Sequence, residues 1–433
     1  MNFVFLTVLI AEAIIIYHIN GKNIISPSLI SCAVFIVSAV VYIIGGDLYN
    51  QEIRIKTVIV IAAMIFCIFL GESIVNLSKK NKNYIKLKEQ GKAVVLPRYV
   101  CVILVSFVAI VGVFYFISVY RFSLLVGNTE GNYFGTAGYV RRSGEYKIGF
   151  WLGQTTLLSE CLFYFFIYSF SYNKAITGKF FYRYLWIVPA YAIHIFAIDN
   201  RISLLRIIII SFIIMFFVIK QSAMWSKRYD LRIVLISALV IVVFLVLFRL
   251  LGYRTGVSNE DNGFLTIVQY CSSGLYGLDK FLYGEITAIN NLFAQRTLLS
   301  LYELLNSWGI GSYEISHFDE FFFYGTAKSN IYTGIKGLIQ DFTVLGAGLF
   351  LIVWGIMVSW LTNSIKYNKF NFLKLFILGF LFYPIVLLSI DFTFSTTIRI
   401  STVYMLVYCS LIVWLAGIFR DKKYDKGYIS AVS

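Results

Sequence analysis

Charge is what this chain has least of. Of its 433 residues only 14% are Asp, Glu, Lys or Arg, against 59% hydrophobic and 18% aromatic. That is too little charge to coat a soluble globule of this length, which excludes a soluble protein. Cysteine is scarce too. Five of the six (Cys32, Cys67, Cys101, Cys161, Cys409) fall inside apolar runs and only Cys271 lies outside them, which argues against a structural disulfide and against a thiolate metal site. There is no Gly-rich phosphate loop of the Walker kind, no HExxH and no nucleophile elbow. Nor does any exposed loop carry Asp-x-Asp, the spacing that holds a divalent ion against a nucleotide-sugar diphosphate. These absences point away from nucleotide substrates. The first apolar run has no basic segment before it and no small-residue cleavage site, so a cleavable signal peptide is not expected.

What the chain does have is apolar runs. Eleven are long enough to cross a bilayer, which takes about 20 residues of helix: 3–19, 24–46, 56–77, 99–121, 149–171, 184–199, 202–220, 233–251, 336–362, 373–391 and 398–419. Only Asp199, Asn200 and Arg201 separate the sixth from the seventh. The expected fold is an all-α polytopic integral membrane protein, a single membrane domain over 1–433 with no internal repeat.

Basic residues orient it. Lys22, the 79–98 segment, the 174–183, 220–232 and 366–374 turns and the 420–426 tail fall in alternate loops. Together they hold 17 Lys and 5 Arg, while the rest of the chain holds 5 Lys and 10 Arg. Positive residues collect on the cytoplasmic side, so the lysine-rich loops are inside and the N-terminus outside. The net charge of +15 is mostly this topological signal and implies no nucleic acid. Basic residues left outside are mainly arginine, whose planar fork of donors suits an anion.

Two outside loops are long, 122–148 and 252–335. The second keeps Tyr270, Tyr276, Phe281, Leu282, Leu298, Leu301, Leu304, Leu305 and Trp308, so it is not a disordered linker. Within it 294–305 has the spacing of an amphipathic helix.

The candidate anion-binding residues are the Arg141-Arg142 pair in the first loop, Arg254 and Arg296 in the second, and Arg201 at the break between two apolar runs. For the loop arginines the alternative role is a lipid-headgroup contact or a surface ion pair. Arg201 and nearby Arg206 mark either a functional pathway through the bundle or a structural pair with Asp199 or Glu160. His317 is the only histidine outside the spans and is the candidate general base, with Asp319, Glu320 and Asp341 as competitors. His18 and His194 lie in spans and read as packing residues.

The block Ser329-Asn330-Ile331-Tyr332-Thr333-Gly334, followed by Leu338-Ile339-Gln340-Asp341-Phe342 and Leu345-Gly346, resembles the Asn-x-Tyr-Thr and Asp-Phe-Gly-x-x-Gly pattern of Wzy-type oligosaccharide repeat-unit polymerases. Thr343 stands where glycine is more usual. Tyr270 to Gly274 and Asp279 to Leu282 are similar to an earlier loop segment of that family. Arg142 with Gly153 matches its Arg-x10-Gly loop spacing, and Arg296 is followed by Gly309 at a different spacing.

The resemblance implies a GT-C-like glycosyltransferase in the bacterial cytoplasmic membrane, working on its outer face. It would polymerise undecaprenyl-pyrophosphate-linked repeats into O-antigen or capsule, without metal or other cofactor, alongside membrane lipid and a separate protein that sets chain length. Arg142, Arg296 and His317 are then the expected catalytic residues. Arg141, Arg201, Arg254, Asn330, Tyr332 and Asp341 are expected at the substrate, with Tyr313, Tyr324 and Tyr332 stacking on sugars. The alternatives are an O-antigen ligase of the same architecture and a flippase for the lipid-linked repeat.

Overall fold

The computed structural model describes residues 1–49, 51–77, 84, 87, 93–125, 148–198, 201–227, 263–286, 292–315, 319–324, 327–368 and 370–419. The chain is nearly all-α and divides into two compact units. One comprises Met1–Lys82, Asp261–Asn363 and Phe380–Thr402, the other Asn83–Glu260, Ser364–Gly379 and Val403–Ser433.

The helices are α1 (Asn2–Ile19), α2 (Pro27–Ile44), α3 (Gly46–Tyr49), α4 (Ile55–Leu77), α5 (Arg98–Leu125), α6 (Phe150–Thr177), α7 (Ile187–Ile198), α8 (Arg201–Ser222), α9 (Gly263–Leu282), α10 (Leu299–Ser307), α11 (Gly334–Tyr367), α12 (Phe372–Val386), α13 (Phe394–Thr397) and α14 (Ile400–Phe419). Strands β1 (Phe322–Tyr324) and β2 (Ala327–Ser329) form an antiparallel hairpin in which Phe322 pairs with Ser329. Among the described residues eight helices, α1, α2, α4, α5, α6, most of α8, α11 and most of α14, are long and apolar enough to cross a membrane. This is a multi-pass membrane protein.

Two expected spans turn out shorter. The stretch 184–199 opens as a 3-10 turn over Tyr182–Trp186 and is regular helix for only 12 residues. Pro189 has no N–H to return to the Leu185 carbonyl, so the α-helix begins late. In place of 373–391, α12 has 15 residues and contains Pro384, a reach of about 22 Å at 1.5 Å per residue. The expected span 233–251 lies outside the described residues.

In the first unit, glycine lets backbones touch. A Cβ on Gly71 of α4 would lie 2.1 Å from the Ile352 carbonyl oxygen of α11, and one on Gly355 would lie 2.6 Å from that of Ile68. Close approach through small residues is how helices gain van der Waals contact where lipid removes the hydrophobic drive. The expected outside loop 252–335 contributes the whole of α9, an amphipathic helix packed against the spans. Its Leu275, Tyr276 and Leu278 are buried. Ser272 and Ser273 reach the hydroxyls of Tyr49 and Ser329 at 2.8 and 3.2 Å. Asp279, 1% exposed, anchors its far end to the start of α4. It accepts from Gln51 Nε2 (3.3 Å), the Arg54 N–H (3.0 Å), Arg54 Nε (2.7 Å) and Thr57 Oγ1 (2.6 Å). With four donors the buried charge is compensated; without them its desolvation would dominate. The amphipathic helix expected over 294–305 is α10, which starts later because 293–298 is a run of turns with Ala294 at φ 49°.

In the second unit two opposite charges within the helices meet. Arg206 Nη2 meets Glu160 Oε2 at 2.8 Å, and Tyr164 donates to Glu160 Oε1 at 2.9 Å. Of the two readings of Arg206, the structure has the balanced pair with Glu160. His194 packs as expected, its Nε2 3.0 Å from the Val108 carbonyl and its ring between Tyr115 and Tyr191.

Candidate functional site

His317, Arg141, Arg142 and Arg254 lie outside the described residues, as does the side chain of Arg201. The other expected site residues, Arg296, Asn330, Tyr332 and Asp341, all belong to the first unit. They gather where the second loop runs into α11.

The Tyr-Thr-Gly part of the block builds that junction. Tyr332 is buried against the hairpin, its ring 5.0 Å from that of Phe322, and its hydroxyl donates to the Glu320 carbonyl at 2.9 Å. The Thr333 hydroxyl accepts from the Lys336 N–H at 3.4 Å and so caps the first turn of α11. Gly334 donates to the Leu388 carbonyl at 2.8 Å, and a Cβ there would come within 3.0 Å of the Asp391 carbonyl oxygen. Only glycine admits that strand of chain so closely.

Lys336 then projects from the first turn. Its side chain is 1% exposed, and Nζ lies 2.7 Å from Asp319 Oδ1, 3.0 Å from Glu320 Oε2 and 4.1 Å from the centre of the Tyr332 ring. Arg296 Nη2 reaches the same Asp319 oxygen at 2.8 Å and stands 4.0 Å from Glu320. Asp319 therefore bridges a buried lysine and an arginine, and four charges compensate one another at low exposure. Removing one partner of such a group typically costs about 3–5 kcal/mol, because it strands the others. The turn that carries Arg296 is itself held. Asp341 accepts from the backbone N–H of Arg296 at 3.0 Å, and from the N–H and hydroxyl of Thr297, both at 2.7 Å.

This geometry revises several expected roles. Tyr332 has no face for a sugar, because it is buried and Lys336 covers its ring. Tyr324 is likewise buried, between Tyr49 and Tyr276. Tyr313 stays half-buried and packs on Tyr302 at 5.0 Å. Asp341 has both carboxylate oxygens engaged in holding the Arg296 turn. Asn330 is half-buried in the turn after β2. Lys336 was missed as a site residue; its signal was a lysine at the outer edge of an expected span, where lysine is rare.

Chemically the cluster joins fixed cations to carboxylates. Arg296 uses Nη2 on Asp319, and no hydrogen bond from its Nε or Nη1 is made among the described residues, so two donor positions of the fork remain for an anion. Among the described residues, no group of three or more His, Cys, Asp and Glu side chains is placed to hold a metal ion. No protein-family model, curated protein or solved structure matches this chain.

Proposed function

We propose that the protein is a membrane glycosyltransferase of the bacterial cytoplasmic membrane that polymerises lipid-pyrophosphate-linked oligosaccharide repeats on the outer face, in the manner of the Wzy-type polymerases it resembles. The observation that carries this reading is the Arg296–Asp319–Lys336 cluster. It is assembled at the block that bears the resemblance, on a loop that the lysine partition puts outside.

The donor's pyrophosphate gains charge as the glycosidic bond to it breaks. Donors fixed in advance stabilise that charge without reorganising at the moment of reaction. Arg296, set by Asp319 on its side chain and by Asp341 on its backbone, offers Nε and Nη1 as such donors. Lys336 pairs with Asp319 and Glu320 and so holds the carboxylate that orients Arg296. The spans would hold the polyprenyl chains and so keep both reactants in register.

Replacing Arg296 by Lys keeps the charge but removes the planar fork. With purified protein and lipid-linked repeats, we expect Arg296→Lys, and Arg142→Lys with it, to lose long chains by about 10²-fold or more. Single-repeat products should persist, and EDTA should leave the wild-type rate unchanged. Normal chain lengths in both variants would overturn the pyrophosphate role. Transfer to lipid A core without chain growth would assign a ligase instead.

A further inference from the structure

Asp391 lies five residues past the end of α12, in the connection to α14 and outside the helical spans. Its segment is pinned to the turn that bears Lys336. Gly334 donates to Leu388, the Asp391 carbonyl crowds Gly334, and a Cβ on Gly337 would meet the Phe392 ring at 2.5 Å. The Asp391 backbone thus lies against Gly334, two residues before Lys336.

It differs from the other carboxylates there. Asp319 and Glu320 pair with cations, and Asp341 holds a backbone turn. Asp391 makes no ion pair among the described residues, and its Oδ1 accepts one hydrogen bond, from the Phe392 N–H at 2.7 Å. Its second oxygen has no donor among them.

We infer that Asp391 is the catalytic proton acceptor at this site, taking the proton of the acceptor sugar hydroxyl. The inference rests on the proposed polymerase function. As the hydroxyl oxygen bonds to the anomeric carbon of the donor, the bond from that carbon to the pyrophosphate oxygen breaks and its electron pair leaves on the phosphate. The hydroxyl proton passes to Asp391 and from there to water. Burial, with the negative charge of Asp319 adding to it, pushes the Asp391 carboxyl up to about 7, against the opposing pull of the Phe392 N–H and Arg296. A base of that strength is half ionised near neutral pH, where general-base catalysis is most effective. The charged groups that act on it are Asp319 and Arg296, and these are paired in turn with Lys336 and each other.

The test uses full-length protein in lipid nanodiscs, supplied with lipid-pyrophosphate-linked repeats, and measures polymer formation and repeat binding in parallel. Asp391→Asn keeps the shape and the bond from Phe392 but cannot accept a proton. Turnover should fall by about 10²–10⁴-fold with binding unchanged, and Asp391→Glu should recover part of it. The wild-type rate should fall as pH drops through about 7, and the same limb should persist in His317→Ala. Wild-type turnover in Asp391→Asn overturns the inference and leaves the polymerase reading standing. So does loss of both turnover and binding that Asp391→Glu does not restore, because that marks a structural role. No polymer from the wild-type protein itself overturns the function, and the role of Asp391 with it.

Discussion

Asp341, 45 residues downstream, fixes Arg296 by its backbone: the Arg296 N–H donates to Asp341 Oδ1 at 3.0 Å while Thr297 donates twice to Oδ2. Arg296 is thus held twice, its backbone by Asp341 and its guanidinium by Asp319. Asp341→Ala removes three hydrogen bonds to a charged acceptor without touching Arg296 itself. Losing such bonds from a half-buried site costs about 1–3 kcal/mol, so polymer formation should fall by about 10–100-fold. Because Asp341 only positions, its variant should retain the acid limb of the pH profile. A variant as active as wild type would show that the turn holds without it.

The spans were legible in the sequence because a bilayer demands long apolar runs, and hydropathy reads length and polarity well. It does not read helix ends. Pro189 and the turns after Val386 shorten two expected spans while leaving their composition apolar. Helix α9 does not read as a span because its buried Leu275 and Leu278 are interspersed with Ser272, Ser273 and Asp279, which fits an amphipathic helix of the second loop. At the site, Arg296 and Asp341 could be named one at a time. Their assembly could not, since Lys336 and Asp319 stand 17 residues apart with a hairpin between them. No periodicity links a loop carboxylate to a helix-start lysine. Tyr332 drew a sugar-stacking role from its type, but its burial belongs to the packing around Lys336.

Thr343 interrupts α11 at φ 62°, ψ 177°, a region that glycine enters freely and a β-branched residue enters only under strain. Glycine, with no Cβ, would adopt this conformation without that strain. The strain is worth about 1–3 kcal/mol, and the entropy of glycine in the unfolded chain returns about 0.5–1 kcal/mol of it. Thr343→Gly should therefore stabilise by about 1 kcal/mol, read as a rise of a few degrees in the apparent melting temperature in detergent. The side chain is exposed, so little packing is lost. A drop in melting temperature would mean that the Thr343 side chain makes contacts outweighing its strain.

The side on which the cluster faces follows from lysine. Seventeen of the 22 lysines occupy alternate loops, and the second long loop belongs to the opposite set, so we expect it to face away from the cytoplasm. Two exposed serines report on the two sets: Ser312 lies in that loop, and Ser226 in the basic turn after α8. In a cysteine-free background, Ser312→Cys should react with a membrane-impermeant maleimide in intact cells, whereas Ser226→Cys should react only after the membrane is opened. Neither serine touches the charge cluster, so polymer formation should survive both changes and show that the labelled protein is folded. A lipid-pyrophosphate donor displayed on the outer face can meet Arg296 only if Ser312 is the reactive one. The reverse labelling would put the cluster in the cytoplasm, where that donor face is absent, and the polymerase reading would fall with the topology.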